Sequence, residues 1–175
     1  MALETTVIQD KLTDKFGDNV TGFVQMKDIL SFEVAAASAN DVMRHLKEDA
    51  VLRFNFLTDV CGVHYPDNDK ERQFAVVYHM HNWMDNVRIR FKAFLDGDTP
   101  EIDTVTNLFL GANWQERETY DFYGIIFKGH PQLKRILNMD EMVSFPMRKE
   151  FPLEDGGRTD KDDRFFGRIT DNATN

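Results

Sequence analysis

Cysteine is almost missing from this chain: Cys61 is the only one in 175 residues. One thiol excludes an internal disulfide framework and an all-cysteine iron–sulfur cluster, and it suits a reducing compartment such as the cytoplasm. Long apolar runs are missing too. None approaches the ~20 residues a membrane-spanning helix needs. The opening Met1-Ala2-Leu3-Glu4-Thr5-Thr6 lacks a basic stretch leading into an apolar one, so no signal peptide is expected. Positive charge is in deficit, 21 Lys and Arg against 30 Asp and Glu, for a formal charge of −9. That sign argues against a general nucleic-acid binder and against electrostatic docking on anionic lipid. No Gly-x-Gly-x-x-Gly follows a strand, so no dinucleotide fingerprint is present.

What the chain does have is core material. Its hydrophobic fraction is 42%, with 12% aromatic residues, enough for one domain of ordinary size. Val7, Ile8, Leu12 and Phe16 recur at helical spacing up to Gly17, which predicts a helix over 4–16. Val20–Met26 and Ile29–Ala35 read as strands, the second alternating Leu30, Phe32 and Val34 with Ser31 and Glu33. Ser38-Ala39-Asn40-Asp41 resembles a capping box before a helix that buries Val42, Met43, Leu46 and Ala50. Three further strands are expected over 54–65, 73–81 and 87–95. The last sets Val87, Ile89, Phe91, Ala93 and Leu95 against Arg88, Arg90 and Lys92. The short link Asn82–Asn86 predicts an antiparallel hairpin. A helix around Val105–Leu110 and another over Trp114–Tyr123 complete the pattern.

The order predicts an α+β fold: helices packed on one face of a mixed, mostly antiparallel sheet of about five strands. Two units are expected, a domain over 1–137 and an extended C-terminal arm over 138–175, where charge, Pro, Gly and Phe replace any period. Arg148, Phe151, Phe165 and Phe166 are the arm residues expected to meet a partner.

Residues 116–136 carry the densest chemistry. At ~100° per residue, Arg117, Asp121, Trp114 and Glu118 share one arc of a helix, with Arg117 and Asp121 able to pair at i,i+4. Gly124 is placed to end the helix, Ile125-Ile126-Phe127 to form a short strand, and Gly129-His130-Pro131 to turn. Two readings of this cluster stand side by side. Glu116, Glu118 and Asp121 with His130 could hold a divalent metal or act as acid and base in a hydrolase. Alternatively, the carboxylates pair with Arg117, Lys134 and Arg135 to lock the segment or meet a partner. Elsewhere, His79 and His81 share one strand face but lack a third ligand for zinc. Cys61 reads as a buried small apolar residue, and Trp114 as a core anchor for the helix.

The spacing of Glu116, Arg117, Glu118, Asp121, Phe122, Tyr123, His130, Lys134, Arg135 and Ile136 resembles the signature of the 30 kDa (C-subunit) family of NADH–quinone oxidoreductase, respiratory complex I. Phe74-Ala75-Val76-Val77-Tyr78-His79, the basic alternating strand and Met147-Arg148-Lys149-Glu150-Phe151-Pro152 are similar to that family as well, so the likeness runs over about residues 20–155. The resemblance implies a structural and assembly subunit of the peripheral arm, with no catalytic site, cofactor or metal of its own. The complex it implies carries electrons from NADH through FMN and iron–sulfur centres to quinone and translocates protons. It further implies subunits D and B as neighbours, the C-terminal arm wrapping the first of these, and a peripheral position on the cytoplasmic side of a bacterial membrane. Similar proteins also occur in membrane-bound hydrogenase-type complexes.

Overall fold

A computed structural model describes residues 3–151. Helix α1 (Thr5–Phe16) leads into strands β1 (Val20–Met26) and β2 (Ile29–Val34), then helix α2 (Ala39–Glu48). Strands β3 (Phe56–His64), β4 (Phe74–Asn82) and β5 (Val87–Leu95) follow, then a short β6 (Glu101–Asp103), helix α3 (Ala112–Tyr123) and β7 (Ile126–Lys128).

The main sheet has the order β1-β2-β5-β4-β3. β1–β2, β3–β4 and β4–β5 are antiparallel pairs, while β2 and β5 run parallel, so the sheet is mixed and β5 is its centre. The α+β architecture expected from the sequence is therefore the one observed. Period-2 alternation explains the core: Leu30, Phe32, Phe74, Tyr78, Met80, Ile89 and Phe91 all point to the helix side and are buried. α1 adds Ile8 and Leu12, and α2 adds Val42, Met43 and Leu46 to the same cluster. Rings stack through the middle of the sheet, Phe32 on Phe91 at 5.5 Å and Phe91 on Tyr78 at 4.9 Å.

The β4–β5 hairpin is held by Asn82. Its side-chain oxygen accepts the Met84 and Asp85 N–H groups, and its Nδ2 donates to the Leu52 carbonyl at 2.9 Å. At the other end of the sheet, α3 lies along edge strand β3, with Gln115 Nε2 donating to the Thr58 carbonyl and Thr119 Oγ1 to that of Val60. A strand edge left open would be free to pair with another chain, and α3 covers this one. Gly62 permits the approach, since a Cβ there would sit 2.6 Å from the Tyr123 ring.

Several expectations are corrected. Ser38 makes no side-chain cap; it closes a 3₁₀ turn over Ala36–Ser38, and its backbone is already helical. Ala50 lies beyond the end of α2 and is exposed. No helix forms over Val105–Leu110. The segment makes turns instead, with the Leu108 and Phe109 N–H groups both donating to the Val105 carbonyl at 2.9 Å. Glu116 takes the Val105 N–H, and Lys47 Nζ donates to the Leu108 carbonyl at 2.6 Å. Trp114 is not a core anchor: it is 63% exposed, with the Arg117 guanidinium over its ring at 5.1 Å. The short strand expected over 125–127 is observed as β7, one residue later, whereas β6, its parallel partner of three residues, has no counterpart among the expected elements.

Candidate functional site

The signature residues cluster on α3 and on the chain that returns past it. Gly124 ends α3 in the left-handed region (φ 73°) and donates its N–H to the Tyr120 carbonyl, the C-terminal geometry expected from the sequence. A Cβ at Gly124 would also meet the Phe145 ring at 2.6 Å, so glycine is required twice over. The chain then forms β7 beside β6, turns at His130 and comes back across the helix.

Asp121 organises that return. Its Oδ2 accepts three successive backbone N–H groups, from Ile136 at 3.0 Å, Leu137 at 2.8 Å and Asn138 at 3.0 Å. Its Oδ1 accepts Asn138 Nδ2 at 3.0 Å and Arg135 Nη1 at 2.8 Å. Burial alone would raise this carboxyl. The Asn138 and Leu137 N–H donors and the Arg135 guanidinium outweigh it and hold the group well below the usual carboxylate range. Arg135 is equally committed, donating also to the Asp121, Met142 and Ser144 carbonyls. Its guanidinium sits 4.9 Å from the centre of the Phe145 ring.

The expected Arg117–Asp121 pair is therefore replaced. Arg117 instead donates to the Lys134 and Arg135 carbonyls at 3.0 and 3.3 Å. An i,i+4 partner on the same helix loses to a partner that can bind Asp121 together with consecutive backbone amides. Lys134 and Glu118 are exposed, and Phe122 and Tyr123 are half-buried.

Glu116 faces a separate pocket of polar groups. Fully buried, it takes the Thr104 hydroxyl on Oε2 and the Val105 N–H on Oε1 at 2.7 Å. Burial lifts its carboxyl to about 7 despite the Thr104 and Val105 donors. His130 lies 4.0 Å from Glu116 Oε2, with its side chain also out of solvent. Its Nε2–H donates to the Asn113 carbonyl and its Nδ1 accepts the Gln132 N–H, a neutral tautomer that burial favours. No periodic pattern links Thr104 and Val105 to position 116, so residue order alone does not reveal them.

The return continues over 138–151, residues assigned to the arm on sequence grounds. Met147 N–H donates to the Phe122 carbonyl, Arg148 Nε to that of Tyr123 at 2.8 Å, and Lys149 N–H to His64 Nδ1. Arg148 lies between the Phe74 and Phe145 rings at 4.9 and 4.8 Å. Phe151 is 41% exposed. Phe165 and Phe166 lie outside the described residues.

Chemically, the arrangement braces backbone. The oxygens of Glu116 and Asp121 are all engaged by donors of this chain. Among the described residues no group of three or more His, Cys, Asp or Glu side chains is placed to hold a metal ion. His81 Nε2 bonds Asn86 instead, and His79 Nδ1 approaches Asp59 at 3.9 Å. No helix among the described residues is long and apolar enough to cross a membrane. Fold and site together define an α+β scaffold whose charged segment fastens a long return of chain onto one helix.

Comparison with known proteins agrees. Residues 32–156 match the family described as "Respiratory-chain NADH dehydrogenase, 30 Kd subunit". The second C-type subunit of the NADH-quinone oxidoreductase of Rhizobium etli is 40% identical over 154 residues, covering 87% of this chain and 80% of that protein. The C-type subunit of the same enzyme from a Roseiflexus species is 39% identical over 168 residues, 95% of each chain. Among solved structures, the trypsin-resistant fragment (1-134) of Nqo5 aligns with a TM-score of 0.60 and 30% identity, covering 73% of this chain and 98% of the fragment. A chain of an archaeal membrane-bound sulfane sulfur reductase aligns with a TM-score of 0.69 and 27% identity over 85% of each chain. The chain belongs to the 30 kDa subunit family of the respiratory-chain NADH dehydrogenase. As a member it is a subunit of a multi-subunit respiratory complex of the NADH–quinone oxidoreductase type.

Proposed function

We propose that this chain works in the peripheral arm as a structural and assembly subunit, and that the Asp121–Arg135 lock is the feature through which it does so. The lock supports this reading because it fixes residues 135–145 in one course along α3, a rigid and largely exposed ridge suited to a neighbouring subunit. Leu137, Met139 and Val143 stand 62, 74 and 95% exposed along it, an apolar run that docking would cover. Subunits D and B are the proposed neighbours, with the arm residues Phe151, Phe165 and Phe166 extending the contact with the first of them. The flavin and iron–sulfur centres that carry electrons from NADH to quinone belong to other subunits, and the complex places this chain on the cytoplasmic face of the membrane.

Blue-native gels of membranes carrying Asp121→Ala test the proposal. Loss of the assembled complex is expected, with NADH oxidation at the flavin retained in a subcomplex. Fully assembled complex with normal flavin-site activity but dead quinone reduction would overturn it. The likeness to the archaeal sulfane sulfur reductase favours a second reading, the equivalent subunit of a related membrane-bound respiratory complex. The chains that co-purify after gentle solubilisation separate the two: an NADH-oxidising flavin subunit is expected for the first.

A further inference from the structure

The two faces of the main sheet differ in character. The face toward the helices is sealed in the core. The opposite face carries Arg88, Arg90 and Lys92 at alternate positions of β5, the central strand; Arg88 is exposed and the other two are half-exposed. An open sheet face is normally settled by opposite charges across neighbouring strands. Here the register denies them that. Arg88 lies opposite His81 and Ile29, Arg90 opposite His79 and Ser31, and Lys92 opposite Val77 and Glu33.

Among these cross-strand neighbours, Lys92 alone meets an acid, and the Glu33 carboxylate is already held by Arg72 at 2.9 Å. Arg90 makes do with Ser31 Oγ at 3.1 Å and Met26 Sδ at 3.3 Å, and Lys92 with the Tyr65 hydroxyl at 3.3 Å. Among the described residues no carboxylate is in ion-pair distance of any of the three. This happens in a chain where acids outnumber bases 30 to 21, so the row is not a by-product of a basic surface. Exposed apolar side chains flank it: Met26 at 54%, Phe56 at 43% and Trp83 at 62%.

We propose that this face docks another protein subunit, which lays across β5 a segment whose carboxylates pair with Arg88, Arg90 and Lys92. Alternate strand positions stand about 7 Å apart, so the segment presents its acids at that spacing with apolar residues between them. The inference rests on the reading that this chain works inside a multi-subunit complex, and adds a second contact surface on the far side of the sheet from the return over α3. Burying such pairs converts an uncompensated row of like charges into specific recognition.

Zero-length carbodiimide coupling on the purified intact complex tests it, because the reagent joins a lysine amine directly to a carboxylate with loss of water. The expected result is a cross-link from Lys92 to an Asp or Glu of another subunit, absent in Lys92→Gln. Lys92 should also be acetylated by an amine reagent about tenfold more slowly in the complex than in the isolated full chain. Arg88→Glu, an exposed position, should retain the fold by circular dichroism and lose about tenfold of that subunit on washing at raised salt. Coupling of Lys92 to a carboxylate of this chain or of a second copy overturns the proposal, as does equal acetylation in both states. A purified complex lacking the chain altogether would instead overturn the reading on which the inference rests.

Discussion

Asp121 and Arg135 meet at 2.8 Å with side chains 0 and 7% exposed, and three successive backbone N–H groups converge on the same carboxylate. Breaking such a buried pair from one side strands the other charge, which costs about 3–5 kcal/mol. Asp121→Ala should therefore lower the melting temperature sharply and speed tryptic cleavage after Lys134 and Arg135. Asp121→Asn, which keeps an acceptor for the backbone amides, should lose less. Melting of Asp121→Ala within a degree or two of the parent would refute the bracing role. Because the folded-state pKa is depressed, this contribution is present at neutral pH and fades only as pH falls below the usual carboxylate range.

Glu116 behaves with the opposite sign. Its carboxyl is raised from 4.5 to about 7, so between those values the folded state holds a proton the unfolded state has released. Its contribution is fully present below the unfolded pKa and is lost as pH rises through about 7, on the order of 3 kcal/mol in all. Glu116→Gln should thus flatten the pH dependence of stability and gain on the parent at pH above 7. Chemical denaturation across that range measures it; parallel curves for the two proteins would contradict the assignment.

The close approach of β3 and α3 depends on Gly62. In Gly62→Ala the new methyl would meet Tyr123 at 2.6 Å and Thr119 at 3.0 Å, and overpacking of this kind costs about 1–3 kcal/mol. Calorimetry should show the loss, and adding Tyr123→Ala to the variant should recover part of it. An additive double variant would mean that the helix and strand relax independently.

Arg148 ties residues 145–151 to the sheet. Arg148→Lys removes the Nε–H bond to the Tyr123 carbonyl and the planar fit between Phe74 and Phe145, a loss of about 1–2 kcal/mol. Amide exchange at Met147 and Lys149 should accelerate while that of α3 stays unchanged. Protonating His64 should have a similar local effect, since its Nδ1 accepts the Lys149 N–H only when unprotonated. Burial lowers that pKa, so the contact holds at neutral pH and is lost in acid.

Much of this could be read from residue order. Alternation placed all five main strands within a few residues, because a side-chain period of two survives whatever the partner strand is. Gly124 announced the end of α3, since few other residues tolerate its backbone angles. The charged spacing over 116–136 pointed to the family and to the segment that matters. Local pattern thus set the elements, the face each one buries and the position of the site.

Pairing belonged to three dimensions. Nothing in the strands reveals that β2 lies parallel to β5, because strand order depends on which distant apolar faces can be buried together. Arg117 was the natural partner for Asp121 by helical spacing, yet Arg135, 14 residues on, holds it. A buried carboxylate goes to whichever donors can satisfy all its lone pairs at once, and those come from a loop that folds back. Glu116 found Thr104 and Val105, and Arg148 reached the Tyr123 carbonyl, for the same reason. Satisfying buried polar groups is a property of the packed chain, whereas the period of its hydrophobic residues is written in each segment.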